Sequence, residues 1–306
     1  NMFRSKKFVP EKYEEDKNLL VERLNSWGYR DALIKSDSVE TLDEKHVNIY
    51  LDVYEGKKYY LRNISWVGNT VYNSDLLQHF LKMEKGDVYN QTLMNKRLRE
   101  DDDAIGNLYY NSGYVFYSLD PVEVNIEGDS IDLEMRVREG QQATFNRIRI
   151  AGNDRVYENV IRRELRTKPG DLFSMESIKR SVRELSNMNQ FDSEILAQEI
   201  SKNIHPNQQT GTVDVTYPLV TKGGDQIELS AGWGQTGVIG KLGLKFTNFS
   251  LQNLFGKNGY KRIGFIPQGD GQTLSLQGQT NGTYYQSYAL SFIDPWFGKK
   301  RPNSFS

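Results

Sequence analysis

The sequence predicts a tandem array of small α+β units of order β-α-α-β-β, running into antiparallel strands of barrel type. Three observations carry this reading. First, motifs recur at a fixed offset. Ile64-Ser65-Trp66-Val67-Gly68-Asn69 returns as Ile148-Arg149-Ile150-Ala151-Gly152-Asn153, and Gly86-Asp87 as Gly170-Asp171, each 84 residues on. Second, period-two alternation marks half-buried strands: Ile131, Leu133, Met135 and Val137 alternate with Asp132, Glu134, Arg136 and Arg138. Third, residues 223–306 hold 15 of the 26 glycines and show no helical periodicity.

The first element is a partial copy. Gly28-Tyr29 matches Gly113-Tyr114, and Glu55-Gly56 matches Glu139-Gly140, so the chain opens inside one unit and then holds two whole ones. Val47, Ile49, Leu51 and Val53 mark the last strand of the partial unit. Each whole unit opens with a strand, about 59–67 and 143–151, closed by Gly-Asn, a pair in which both residues tolerate positive φ. A short helix follows, with Ser74 or Asp154 as N-cap. Gly86-Asp87 or Pro169-Gly170-Asp171 breaks it. A longer amphipathic helix is expected over about 90–110 and 174–188, then two strands, the last marked in the second whole unit by Val213, Val215 and Tyr217. A three-stranded sheet leaves two edges that can pair with another extended chain, unless neighbouring units cap them. Tyr114–Leu119 and Asp192–Ile200 are read as such edge strands. Tyr114, Val115, Phe116, Tyr117, Ser193, Ile195 and Ala197 are their candidate docking positions.

After Gly223-Gly224 the alternation lengthens. Ile227, Leu229, Ala231 and Trp233 alternate with Glu228, Ser230, Gly232 and Gly234; Leu242, Leu244 and Phe246 alternate with Lys241, Gly243, Lys245 and Thr247. Tyr284, Tyr288, Leu290 and Phe292 share one parity, with Gln286 the exception. Such spans fit transmembrane β-strands, and Asp294-Pro295-Trp296-Phe297 would set aromatics at a membrane interface. Taken alone the segment fits a soluble β-sandwich equally well; its position after the repeats decides for the membrane. About four strands cannot close a barrel, which takes about eight, and an open sheet in lipid leaves backbone groups unsatisfied. The chain is therefore expected to be the first part of an incomplete barrel, beginning inside a larger protein.

Composition narrows the function. With 39 basic and 40 acidic residues, nothing drives the chain toward nucleic acid. It has no cysteine, and its three histidines, His46, His79 and His205, lack metal-ligand spacing. No run of about 18 apolar residues marks a transmembrane helix. No nucleophile motif is visible, so neither an enzyme nor a cofactor is inferred. Glu100-Asp101-Asp102-Asp103 reads as a solvated helix face or a patch for a basic partner, and Lys299-Lys300-Arg301 as a loop near lipid headgroups.

The β-α-α-β-β units resemble POTRA domains, in which Ile-x-x-x-Gly-Asn, a helix, Gly-Asp, a second helix and Gly-Tyr follow in order. In the last unit the Gly-Tyr place is read as Gln190-Phe191. Gly232-Trp233-Gly234-Gln235, Gly240 to Asn248 and Asn253-Leu254-Phe255-Gly256-Lys257-Asn258-Gly259 resemble the opening strands of a BamA-type barrel, and Asp294-Pro295-Trp296-Phe297 the end of its fourth. Nearly the whole chain is similar to BamA-type outer-membrane protein assembly factors. By analogy with a five-POTRA arm, residues 1–57 are the C-terminal part of the third domain, 58–140 and 141–222 the fourth and fifth, and 223–306 the first barrel strands. The resemblance implies an insertase without ATP, held in the outer membrane with its repeats in the periplasm. Its implied partners are unfolded outer-membrane proteins, lipoprotein accessory subunits and outer-membrane lipid. The implied template is the first strand: Gln226, Ile227, Glu228, Leu229, Ser230, Ala231, Gly232, Trp233 and Gly234, at a seam that Gly232, Gly234 and Gly237 weaken. The same parts occur in two-partner secretion pores and TamA-like translocation factors. A periplasmic interaction scaffold is a third reading.

Overall fold

The computed structural model describes residues 7–43, 46–234, 237–255, 266–281, 285–298 and 303–306. The chain divides into two compact units, Asn1–Gln142 and Ala143–Ser306.

The first unit begins with α1 (Pro10–Ser26), whose N1 proline gives up an N–H that would have no partner there. Tyr13 and Lys17 on α1 donate to Asp37 at 2.9 and 3.2 Å, pinning it to the antiparallel hairpin of β1 (Leu33–Thr41) and β2 (Val47–Tyr54). The first whole repeat follows: β3 (Tyr60–Val67), α2 (Ser74–Leu81), α3 (Gln91–Asn95), α4 (Ile105–Asn111), β4 (Ser118–Glu127) and β5 (Ser130–Arg138). The sheet order is β3-β5-β4, with β3 parallel and β4 antiparallel to β5. The last strand is thus central, and its alternation appears as expected: Ile131, Leu133, Met135 and Val137 are buried against Leu77, Leu81, Met94 and Tyr109 of the helices.

The helices of this repeat depart from expectation. The N-cap is Asn73, whose side chain accepts from the Leu76 amide at 2.8 Å, so Ser74 is already helical. The long second helix is broken. After α3 a π-turn (Lys96–Glu100) ends at Asp101, which is extended, and α4 starts afresh at Ile105. Arg97 explains the break. It is buried, and its guanidinium donates to the Phe80 carbonyl, to Asp101 at 2.9 Å and to Asp103 at 2.6 Å. The acidic run therefore folds back to neutralise a buried cation instead of lining a helix face.

In the second unit the repeat reads β6 (Thr144–Ala151), α5 (Glu158–Glu164), α6 (Met175–Asn187), α7 (Ser193–Glu199), a 3₁₀ turn (Ile200–Asn203), β7 (Ile204–Asn207) and β8 (Thr212–Pro218), in sheet order β6-β8-β7. The predicted 174–188 helix is present, capped by Ser174 accepting from the Ser177 amide. Asp154 does not cap α5, whose N-cap position is Tyr157. Asp192–Ile200 is helical, not an edge strand. Asp192 accepts from the Glu194 and Ile195 amides at 3.0 and 3.1 Å, which starts α7.

The Gly-Asn pair has the same geometry in both repeats. Gly68 and Gly152 have φ of +86° and +79°, and a Cβ there would stand 2.2 and 2.1 Å from the carbonyl oxygens of Val137 and Leu219. Only glycine allows that approach. The asparagine contributes its side chain, not a positive φ: Asn69 donates to the Tyr72 carbonyl, and Asn153 bonds both backbone groups of Val156. Likewise, the left-handed residue after the second helix is Gly113 in the first repeat and Asn189 (φ +54°) in the last. The departure from Gly-Tyr therefore falls on Asn189, a residue that tolerates this conformation.

The chain then forms β9 (Gln226–Gly234), β10 (Gly237–Phe249), α8 (Leu251–Phe255), β11 (Gln272–Asn281) and β12 (Tyr285–Ile293). These make one antiparallel sheet in the order β12-β11-β10-β9. Lys299-Lys300-Arg301, Tyr284, Gln235 and Gly256 to Gly259 lie outside the described residues.

Candidate functional site

Among the described residues β9 is an edge strand. Its nine residues pair with β10 from Gly237↔Gly234 to Lys245↔Gln226 without a bulge, so the glycines do not interrupt this ladder. Among the described residues no strand lies on its other side. That side offers a row of backbone donors and acceptors to an added chain.

The register carries one pattern across all four strands. Directly opposed residues of an antiparallel pair share a face. Ile227 opposes Leu244, Leu244 opposes Leu276, and Leu276 opposes Leu290. One step along, Leu229, Leu242, Gly278 and Tyr288 form the next row. On the other face, Gln226, Lys245, Ser275 and Ser291 align, as do Ser230, Lys241, Gln279 and Ser287. Lys241 donates to Glu228 at 2.9 Å on this polar face. The apolar face is bare: Leu229 is 79%, Trp233 86% and Tyr288 82% exposed. A contiguous exposed apolar surface of this kind requires a cover of lipid or protein.

The sheet stands on the last repeat. Asn248 at the end of β10 donates to the Arg155 carbonyl at 2.9 Å and accepts from the Gly269 and Gly271 amides. Tyr157 bonds the Gly269 carbonyl through its amide at 3.0 Å and receives the Asn253 side chain on its hydroxyl. A Cβ on Gly269 would stand 2.7 Å from the Tyr157 ring, so glycine is needed for the contact. Gln190 donates to the Thr247 carbonyl at 2.9 Å. Trp296 also turns toward the repeat, its indole N–H donating to Glu164. The sequence reading set it at a membrane interface and missed this partner, which lies 132 residues away.

The candidate positions on the repeats fare differently from β9. Tyr114–Tyr117 form a turn before β4, closed by the Tyr117 amide donating to the Tyr114 carbonyl at 3.2 Å. Tyr117 is buried, stacked on Tyr109 with ring centroids 4.1 Å apart. Phe116 packs under Gly140. Val115 lies in the same turn, so none of the four offers a strand edge. Ser193, Ile195 and Ala197 sit on α7, where the helix uses its own backbone groups. The edges the fold provides are β3 and β4 in the first repeat and β6 and β7 in the last. On β4, Glu123 is held by Arg30 (3.0 and 2.6 Å) and by the Tyr89 hydroxyl at 2.8 Å. Proline at position 121 takes a backbone donor from that strand. Among the described residues no group of three or more His, Asp or Glu side chains forms a metal site.

Comparison with known proteins agrees with this architecture. The POTRA family, described as a surface antigen variable number repeat, matches residues 59–140 and 143–221. The outer membrane protein assembly factor BamA of Neisseria meningitidis serogroup B is 28% identical over 303 residues, covering 96% of this chain and 34% of that protein. BamA of Nitratidesulfovibrio vulgaris is 25% identical over 254 residues, covering 82% of this chain and 30% of that protein. The chain thus spans about a third of the length of the curated relatives it matches. Among solved structures, BamA of Haemophilus ducreyi lacking POTRA domains 1–3 superposes with a TM-score of 0.58 at 20% identity, covering 79% of this chain and 41% of that one. POTRA3–5 of Haemophilus influenzae BamA gives 0.57 at 22%, covering 71% and 83%. At these identities the structural likeness speaks for the fold alone. Two matched POTRA repeats fill more than half the chain, and relatives extend the match through the strand region, so this chain is a member of the POTRA-bearing, BamA-like family.

Proposed function

We propose that this chain is the membrane-proximal part of an outer-membrane assembly factor, and that the free edge of β9 templates the strands of incoming barrel proteins. The observation that carries the reading is that one strand joins a bare apolar face to an edge that, among the described residues, pairs on one side only. An unfolded barrel strand entering lipid carries unpaired backbone groups, each costing several kcal/mol by the usual estimate of roughly 2–7 kcal/mol. Pairing with β9 lowers that cost without ATP or a covalent step. The four strands are then the start of a barrel whose apolar rows face lipid and whose polar rows face the lumen. Residues 1–57 close a third POTRA domain, 58–140 and 141–222 are the fourth and fifth, and all lie in the periplasm. Lipoprotein subunits and substrates are partners of the repeats. The names of the relatives support this role over that of a dedicated secretion pore.

Depletion in cells separates the two. An assembly factor predicts broad loss of outer-membrane barrel proteins. Loss of one secreted protein, with barrel levels unchanged, would overturn the proposal.

A further inference from the structure

The contacts between the last repeat and the sheet are not alike. Most are hydrogen bonds to backbone carbonyls and amides. Two involve charge: Arg155 pairs with Asp225 just before β9 at 3.7 Å, and a buried cluster lies at the end of α5. α5 ends in Arg163-Glu164, both side chains 16% exposed, with Arg163 Nε 3.6 Å from the Glu164 carboxylate. The Arg163 guanidinium lies over the Trp296 ring, 5.1 Å from its centroid, and donates to the Asp270 carbonyl at 3.4 Å. Burial pushes the guanidinium below its ordinary pKa, and the carboxylates of Glu164, Asp294 and Asp270 act in the opposite sense. Burial likewise pushes Glu164 up, against its hydrogen bond from Trp296 and the charge of Arg163. Arg163 thus sits beside Glu164 of α5 and feels the charges of Asp270, entering β11, and Asp294, at the foot of β12, while Glu164 also feels Glu184 and Arg166.

The acids are held in place by other bonds. Ser250 donates to Asp270 at 2.7 Å, and Gln272 donates to Asp294 at 3.0 Å. Without the cation, the half-buried Glu164 carboxylate would lose its ionic partner, and the charges of Asp270 and Asp294 would be left without the guanidinium that they favour. The cluster thus requires Arg163, and it sits beside β12, at the opposite edge of the sheet from β9.

We propose that Arg163 is a positioning residue: it locks the angle of the last repeat against the foot of β12, and it does so by charge. Arg163 does not reach β9, whose foot is tied to the last repeat separately, by Arg155 to Asp225 at 3.7 Å. The last repeat and β12 then move as one body, and any displacement of β9 is a motion relative to both.

The test uses the full-length protein in lipid bilayers, with nitroxide labels in pairs and distances read by pulsed electron resonance. The chain carries no cysteine of its own to interfere. A pair at Lys179 on α6 and Ala289 on β12 reads the lock. A pair at Ser230 and Ala289 reads the integrity of the sheet. Arg163→Gln should at least double the width of the 179–289 distribution and leave the 230–289 width unchanged. Adding Asp270→Asn should narrow the first width again, because it removes one of the facing charges. A packing role alone predicts no such rescue, since Arg163 touches Asp270 through its backbone carbonyl. Arg163→Lys, which keeps the charge, should give an intermediate width. An unchanged 179–289 width in Arg163→Gln overturns the proposal, as does failure of Asp270→Asn to narrow it. If Arg163→Gln also widens the 230–289 pair, Arg163→Lys decides: a 179–289 width equal to that of Arg163→Gln overturns the proposal. None of these readouts depends on assembly activity, so the lock stands or falls apart from the templating role.

Discussion

Replacing Glu139 by alanine tests how the first repeat is closed. Glu139 follows β5 and is buried. Its carboxylate accepts from the Thr70 and Val71 amides at 2.9 Å each, from the Thr70 hydroxyl, and from the Tyr109 hydroxyl at 3.0 Å. Burial opposes its ionisation, but these donors outweigh that and hold its pKa below the usual carboxylate value. Hydrogen bonds to a charged group contribute about 1.5–3 kcal/mol each when removed singly. The two amides lie in a half-exposed turn and can return to water, whereas the Tyr109 hydroxyl cannot. The expected loss is therefore roughly 3–5 kcal/mol, the range for breaking a buried charged network. That corresponds to amide exchange faster by roughly two to four powers of ten. Hydrogen exchange by mass spectrometry over peptides covering residues 66–73 and 105–117 reads it directly. The sign with pH follows from the depressed pKa. The contribution is complete above the unfolded value, about 4.3, and disappears as pH falls through the lower folded value. Glu139→Gln should lose that pH dependence. Less than tenfold faster exchange in Glu139→Ala at neutral pH would refute the reasoning.

Two further outcomes follow from the backbone. Gly68→Ala should cost at least twice as much stability as Gly86→Ala, read as the shift in thermal unfolding. Both glycines have positive φ, worth roughly 1–2 kcal/mol for alanine, but only at Gly68 would the new Cβ meet a carbonyl, at 2.2 Å, while Gly86 has nothing within 4 Å. Proline at Leu229 and at Ser230 should separate the two edges of β9. Successive N–H groups point to opposite sides of a strand, so one proline removes a donor from the β10 ladder and the other from the free edge. Both should lower outer-membrane barrel protein levels, and only one should lower the sheet's own unfolding temperature. Normal levels with both substitutions would sink the template.

Much of the repeat was legible because backbone constraints recur at one offset. Gly68 and Gly152 are each needed against a carbonyl at the end of the central strand, that of Val137 and that of Leu219, and Gly86 and Gly170 share φ near +90°. β5, β8 and β9 declared themselves by strict alternation. The failures have physical causes. α7 is seven residues long and buries only Leu196, so Ile195 and Ala197 mimicked a period of two. Arg97 belongs to the core only because Asp101 and Asp103 reach back to it, which no helical period announces. A tie between the strand ends was also hidden by exchange of its members. Thr70 donates to Glu139 in the first repeat, whereas Thr221 donates to Asp154 in the last, so acid and hydroxyl have traded strands. Trp296 reads in the sequence as an interfacial aromatic, whereas its footing on Arg163 and Glu164 depends on a long-range contact.

Disulfide trapping along β9 tests the central claim most directly. Single cysteines at positions 226 to 233, in a chain that has none, are paired with single cysteines along the terminal strand of a barrel substrate during its assembly in cells. A strand added at the free edge predicts crosslinks in one antiparallel register, each step along β9 matched by one opposite step in the substrate. Crosslinks without register, or none while the substrate still assembles, would contradict templating by β9.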